Sequence, residues 1–232
     1  MKVGARALSR LQREVVECRL CPRLIQHCQR VAVIKRRAYR DWDYWGLPVP
    51  SFGDPNAHLL IVGLAPAAHG ANRTGRIFTG DRSGDFLYRA LFETGFASQP
   101  ASASPDDGLE LRDAYITAVV RCAPPENKPL PIELRNCSDY FKRELDLLPN
   151  LRVVVALGRI AFDAFMSVLL ERGLIQRRSA FRFGHDLEHR TGPGQPLLIS
   201  SYHPSQQNTS TGRLTPAMLL QVFLHARQLL AS

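Results

Sequence analysis

"HLLIVGLAPAAHG" (His58–Gly70) is the stretch on which the fold turns. "HLLIV" is apolar, too short for a helix and stopped by a glycine, the pattern of a strand buried on both faces. It empties into a loop dotted with glycine, "GLAPAAHGANRTGRIFTGD" (residues 63–81). A loop of this kind after a buried strand usually cradles a phosphate. This one lacks both the Gly-Lys-Ser/Thr ending and the G-x-G-x-x-G spacing, so its ligand is of another kind.

Three further runs read the same way: "AYITAVV" (114–120), "RVVVALG" (152–158) and "PLLISSY" (196–202). Helical patterns alternate with them at Ala7–Glu17, Gly84–Thr94, Pro131–Leu148, Arg159–Arg172 and Thr215–Leu230. Thr215 is the expected N-cap of the last, with Pro216 at its first position. Strands alternating with helices predict an α/β protein whose mostly parallel sheet is covered on both faces. Ligands of such sheets sit beyond the carboxyl ends of the strands. "GLAPAAHG", "RCAPPENK" and "SYHPSQQN" all fall there.

At 232 residues, with 45% hydrophobic and 22% charged content, the chain reads as one globular domain over 1–232. "ASQPASASPDDG" (97–108) is a loop inside it, not a linker, because a strand pattern resumes at once. No apolar run approaches the ~20 residues of a membrane span. The N-terminus has no apolar segment before a small-residue cleavage site, so the expectation is a cytosolic protein. Charge is uneven. Residues 1–40 carry eleven Lys/Arg against Glu14 and Glu17, an excess equal to the whole-chain net charge of +9. That asymmetry fits a polyanionic partner or a solvated basic helix.

Cys18 and Cys21 form C-x2-C, and Cys122 and Cys137 bracket a wide span. In a cytosolic chain this usage suggests metal in place of disulfide. The second pair is wider than a zinc ribbon needs, and a larger all-thiolate cluster suits it. Spacing alone leaves iron–sulfur, zinc and no metal open. Cys28 reads as a free core cysteine.

In combination, "ECRLCPRL", "YWGLPVPSFGDP", "GLAPAAHGANRTGRIFTGD", "RCAPPENKP", "VVALGRIA" and "SYHPSQQNT" resemble the family 5, or type B, uracil-DNA glycosylases, the iron–sulfur branch of that superfamily. The resemblance runs from about residue 14 to the C-terminal helix. It implies a three-layer α/β/α sandwich around a four-stranded parallel sheet. It also implies a [4Fe–4S] cluster on Cys18, Cys21, Cys122 and Cys137, with the N-terminal basic helical segment contributing to that site. The activity implied is excision of uracil, and of hypoxanthine and xanthine, from DNA for base excision repair. Ser51 stands where the family pattern has glycine.

The residues carry this chemistry in physical terms. A base inside a duplex is out of reach, so the nucleotide is extruded and its face stacked on an aromatic, for which Phe78 is the candidate. Gly63, Ala65, Pro66 and Ala67 are expected to let the backbone approach the base and to donate N–H groups to its oxygens. His203 is the expected hydrogen-bond donor to the departing base anion. Related branches place a carboxylate or amide within the first motif, where this chain has Leu64 and Ala65. Asp81 is then the nearest carboxylate able to position water, or else an N-cap for the helix near Gly84. Asn127 either bonds the base edge or water, or makes an Asx-turn.

Ser205 and Gln206, in the polar stretch 201–213, are expected to hold DNA, and 177–190 reads as a basic hairpin near the backbone. His27 and His225 read as surface residues. The expected partner is DNA carrying deaminated bases, bound by a monomer near the nucleoid, with a sliding clamp as candidate recruiter. Two other classes compete: an iron–sulfur redox or nucleotide-handling enzyme, marked by an exposed, cycling cluster, and a non-catalytic damage-binding module. The joint presence of Asp81, Asn127 and His203 argues against the second.

Overall fold

Leu59–Gly63 forms the central parallel pairings, with Ala114–Ala118 on one side and Val153–Ala156 on the other. A computed structural model describes residues 2–231. In chain order the elements are α1 (Lys2–Glu17), α2 (Pro22–Ile34), β1 (Phe52–Gly53), β2 (Leu59–Gly63), α3 (Ala71–Thr74), α4 (Arg82–Glu93) and β3 (Ala114–Ala118). There follow α5 (Pro131–Leu147), β4 (Val153–Leu157), α6 (Arg159–Glu171), β5 (Leu187–His189), β6 (Leu197–Ser201), α7 (Gln206–Ser210) and α8 (Pro216–Ala231). The sheet order is β1-β3-β2-β4-β6-β5, with the four inner strands parallel and the two edges antiparallel.

The unbroken apolar runs follow from two cores, one on each face. Leu59 and Ile61 point to one side, where Leu87 and Leu91 of α4 and Leu219 and Phe223 of α8 cover them. Leu60 and Val62 point to the other, against Leu24 of α2, Phe141 of α5, and Phe162 and Phe165 of α6. Each such side chain, once buried, contributes about 1.5–3 kcal/mol, so neither face tolerates a polar residue at these positions. The three-layer sandwich expected from the sequence is the one observed. No helix among the described residues is long and apolar enough to cross a membrane.

Several details differ from the sequence reading. The first helix starts at Lys2, not near Ala7. α2 was unexpected; it begins with Pro22 at its first position and buries Leu24, Ile25 and Cys28. The parallel core of four strands gains the short edges β1 and β5, too brief for any periodicity to reveal. β1 exists because Gly53 (φ +135°) lets its backbone press on β3, where a Cβ would lie 2.4 Å from the Ala114 carbonyl oxygen. Stretch 177–190 is no hairpin by itself: its end, β5, pairs with β6 instead. The expected cap on α8 is present, the Met218 N–H donating to Thr215 Oγ1 at 3.2 Å.

Candidate active site

The four parallel strands end at one edge, and the site is assembled there from the loops after β2 and β6. Gly63 closes β2, and the Phe78 ring lies directly on it: a Cβ at Gly63 would sit 2.7 Å from ring Cε2. Only glycine permits that approach. Phe78 holds a left-handed backbone (φ +52°), a conformation rare for a bulky residue and found where the surroundings enforce it. The enforcement is visible, since the Phe78 carbonyl packs so tightly on Gly84 that a Cβ there would lie 1.8 Å from its oxygen. Phe78 is only 7% exposed and also belongs to the core on that face of the sheet.

Across from it, His203 follows β6. Its ring lies near-parallel to Phe78, with centroids 5.8 Å apart and 29° between planes. The backbone of His203 is fixed by Asn208 Nδ2, which donates to its carbonyl at 2.8 Å. Among the described residues the imidazole nitrogens have no hydrogen-bond partner. Burial pulls its pKa down to about 4, so the ring is neutral near pH 7 and still carries one N–H to donate.

Of the two parts the sequence left open for Asp81, the structure shows the cap directly. It is the N-cap of α4, its Oδ1 accepting from the Gly84 N–H at 3.0 Å. Its Oδ2 lies against Gly70, where a Cβ would come within 1.9 Å of that oxygen. Burial raises the Asp81 pKa; the Gly84 and Ser83 amides and the Arg73 charge oppose that rise, and Asp85 adds to it. A desolvated carboxylate at a helix start is suited to proton work as well as to capping.

The loop over residues 64–70 is partly open to solvent. The amides of Ala65 and Ala67 donate to no protein acceptor among the described residues. Pro66 has no N–H, so the expected donor set shrinks by one, and Pro66 is buried as a wall. Asn127 is exposed at a left-handed turn (φ +57°), and its side chain makes no Asx-turn bond. No hydrogen bond joins it to Asp81, Phe78 or His203 among the described residues. Ser205 caps α7 through the Asn208 N–H (3.4 Å), and Gln206 is exposed in the first turn of that helix.

The cysteines gather on the other face of the sheet. Cys137 Sγ accepts from the Arg121 N–H at 3.3 Å, and Asn136 Nδ2 donates to Cys21 Sγ at 3.5 Å. Cys122 feels the charges of Cys137 and Cys18, and Cys137 those of Cys18 and Cys21, so the four thiols form one neighbourhood. Burial pushes the Cys137 thiol up to about 11. Among the described residues no three His, Cys, Asp or Glu converge on the position of one metal ion. Cys28 is fully buried, as expected of a core thiol, and adjoins Cys122.

Some contacts lay outside the sequence reading. His69 Nδ1 and Tyr44 Oη are 3.1 Å apart, tying the loop to the segment before β1. Gly70 and Arg73 shape the surroundings of Asp81, and the "GANRTG" run gave no sign of it. His225 is no plain surface residue: its Nδ1 lies 3.0 Å from Asp186 and its Nε2 3.4 Å from Glu188. Ser51, which stands where the family pattern has glycine, joins a buried polar group. Its hydroxyl joins Thr117 (2.9 Å), Glu144 and the buried guanidinium of Arg121.

Fold and site together define a three-layer α/β/α protein with an aromatic–imidazole site and a desolvated carboxylate at the carboxyl edge of its sheet. The family model for the uracil DNA glycosylase superfamily matches residues 50–227. A type-5 uracil-DNA glycosylase of Thermus thermophilus is 54% identical over 91% of this chain and 93% of its own. Those of Mycobacterium leprae (49%; 97% of each chain) and Pyrobaculum aerophilum (45%; 91% and 88%) are also similar. The chain belongs to the uracil-DNA glycosylase superfamily, in its type-5 branch.

Proposed function

We propose that this chain is a monofunctional DNA glycosylase that extrudes uracil, and the deaminated purines hypoxanthine and xanthine, and hydrolyses the bond to the sugar. The observation that carries the reading is the pairing of Phe78 with a neutral, unpartnered His203 over the glycine that ends β2.

Phe78 stacks the extruded base, while the free amides of Ala65 and Ala67 meet its oxygens. As the C1′–N bond breaks, its electron pair leaves with the base, and His203 donates a hydrogen bond to the developing anion. A water held by Asp81 adds to the sugar cation and gives up its proton to the carboxylate. Asn127 has its amide free toward solvent and serves as a second contact to base or water. Ser205 and Gln206 hold phosphates beside the gap, and the basic first forty residues supply salt-sensitive affinity.

Cys18, Cys21, Cys122 and Cys137 fit a [4Fe–4S] cluster: they are gathered, and two of their sulfurs already accept hydrogen bonds, which tune such clusters. Held by these four cysteines, which lie after α1, before α2, after β3 and on α5, such a cluster would supply structural cohesion. The protein's own residues carry out the excision.

The test is incubation with duplexes holding one uracil, hypoxanthine or xanthine, followed by alkali. Strand breaks at the modified base that appear only after alkali support the reading. Intact uracil strands after alkali would overturn it, and intact purine strands alone would narrow it to uracil.

A further inference from the structure

Arg73, on α3, is 3% exposed and forms no ion pair among the described residues. Burying a guanidinium without a bonded carboxylate is costly, so its retention needs a reason. Its contacts supply one. Nε donates to the His69 carbonyl at 2.9 Å and Nη2 to the Gly80 carbonyl at 2.7 Å, while Nη1 is buried without a partner. The guanidinium carbon sits in the corner of two rings set nearly perpendicular (82°), 3.9 Å from the Tyr39 centroid and 4.1 Å from that of Trp42. Gly80 (φ +78°) is shaped to receive it, since a Cβ there would lie 2.4 Å from Nη2. One side chain thus ties together the base loop, the peptide that precedes Asp81, and the basic segment at residues 36–45. That segment is itself strapped to α3, Trp45 N–H donating to the Arg73 carbonyl at 2.9 Å.

We propose that Arg73 is a positioning residue for excision: its fork fixes the Gly80–Asp81 turn so that the Asp81 carboxylate faces the reacting sugar. The inference rests on the reading of Asp81 given above. Its geometry has an electrostatic companion. The groups facing the carboxylate are the Arg73 cation from α3, the Asp85 anion from α4, and the Ser83 and Gly84 amides; Arg73 is the cation that favours the ionised form.

The experiment compares single-turnover excision of a uracil duplex by wild type, Arg73→Gln, Arg73→Lys, Asp81→Asn and the Arg73→Gln/Asp81→Asn pair. Melting temperature and affinity for abasic DNA are measured beside it. Arg73→Gln is expected to lose about 10- to 10²-fold in rate, the scale of a misplaced reacting group. Its abasic-DNA affinity stays unchanged, and the acid limb of its pH–rate profile moves to higher pH. Arg73→Lys returns the limb, because the charge is kept, and recovers only part of the rate, because an ammonium has no planar fork. With Asp81→Asn already present, Arg73→Gln adds no further loss.

A wild-type rate and limb in Arg73→Gln overturns the proposal, as does a full further loss in the Asp81→Asn background. A wild-type rate in Asp81→Asn alone is a different failure, which removes the Asp81 reading first and this proposal with it. Should Arg73→Gln not fold, Arg73→Lys carries the test alone: it keeps the cation and loses the planar fork, and a wild-type rate there overturns the proposal equally.

Discussion

Phe78 and His203 reach their near-parallel arrangement (5.8 Å, 29°) from strands that are not neighbours, since β4 lies between β2 and β6. Each ring leans on a glycine at a strand end: Phe78 on Gly63, and His203 on Gly158 (φ +94°), where a Cβ would lie 3.1 Å from the His203 Cβ. The spacing of the rings is therefore set by the sheet. Gly63→Ala should drive the Phe78 ring outward, costing about 1–3 kcal/mol of stability through overpacking. Phe78→Ala should weaken uracil-DNA binding by the stacking contribution, about 1–3 kcal/mol per base. Chemical denaturation and substrate titration read these two effects separately, and unchanged substrate binding in Phe78→Ala would make that ring a core anchor alone.

His203 has a pH signature in stability. Its folded pKa of about 4 lies below that of an unfolded imidazole, roughly 6.5. Between those values the unfolded chain binds more protons, so stability falls as pH drops from about 6.5 toward 4 and is fully present above that window. His27, His69, His185 and His189 are lowered in the same direction. His203→Ala should lessen the slope without abolishing it, and should lower excision by about 10²–10³-fold through loss of the anion donor. Melting temperatures from pH 4 to 7.5 check the first part. A slope equal to that of wild type would mean that the ring is not desolvated.

Much of this was legible in the chain itself. The four buried runs were readable because a strand covered on both faces needs no alternation, and Thr215–Pro216 announced the start of α8. The positions of Gly63, Phe78 and His203 at the carboxyl edge of the sheet were readable from their places after strands. What stayed hidden depends on approach in space. Nothing around Gly70 or Arg73 in sequence signals that one presses on Asp81 and the other grips Gly80, because those contacts are made by the folding of the loop upon itself. β1 and β5 escaped notice because two or three residues have no period. Pro66 was the one misreading that side-chain chemistry alone could have prevented.

Ser51 offers a test of a position where this chain departs from the family pattern. Its hydroxyl links Thr117, Glu144 and Arg121, and the last two are buried in the layer behind the cysteines. Ser51→Gly leaves buried groups short of a partner and should cost about 1–3 kcal/mol. Arg121→Met should cost more, about 3–5 kcal/mol, because Glu144 is then a buried charge without its cation. Urea denaturation measures both, and equal stability in Ser51→Gly would mean that water replaces the hydroxyl.

The thiols separate by role. Cys137→Ser and Cys122→Ser should each yield protein depleted in iron, without the broad visible absorption of the parent and with a lower melting temperature. Cys28→Ser should retain iron and colour, because Cys28 adjoins the set without belonging to it. Metal analysis with an absorption spectrum decides the matter. Colourless wild type holding stoichiometric zinc would move the same four ligands to a different metal.

Under the proposed mechanism the hydrolysis turns on Asp81, and its observed part as a cap and its proposed part as a base respond to substitution in opposite ways. As a cap, it satisfies the Gly84 amide through Oδ1, and Asp81→Ala forfeits that bond, a change of about 0.5–2 kcal/mol. As a base, it carries a charge that burial disfavours, its pKa lying above the ordinary carboxylate range. A raised carboxyl pKa means that its contribution to stability is greatest in acid and is lost as pH climbs through the folded value. Asp81→Asn keeps a capping oxygen and removes the buried charge, so its melting temperature near pH 7 should equal or exceed that of wild type. Excision by the same variant should fall by about 10²-fold or more, since an amide cannot take the proton of the attacking water. Stability kept and rate lost together identify a carboxylate retained for chemistry at some expense to the fold. If Asp81→Asn excises uracil at the wild-type rate, the cap is all that Asp81 provides, and the water must be held by Asn127, by backbone groups or by the DNA.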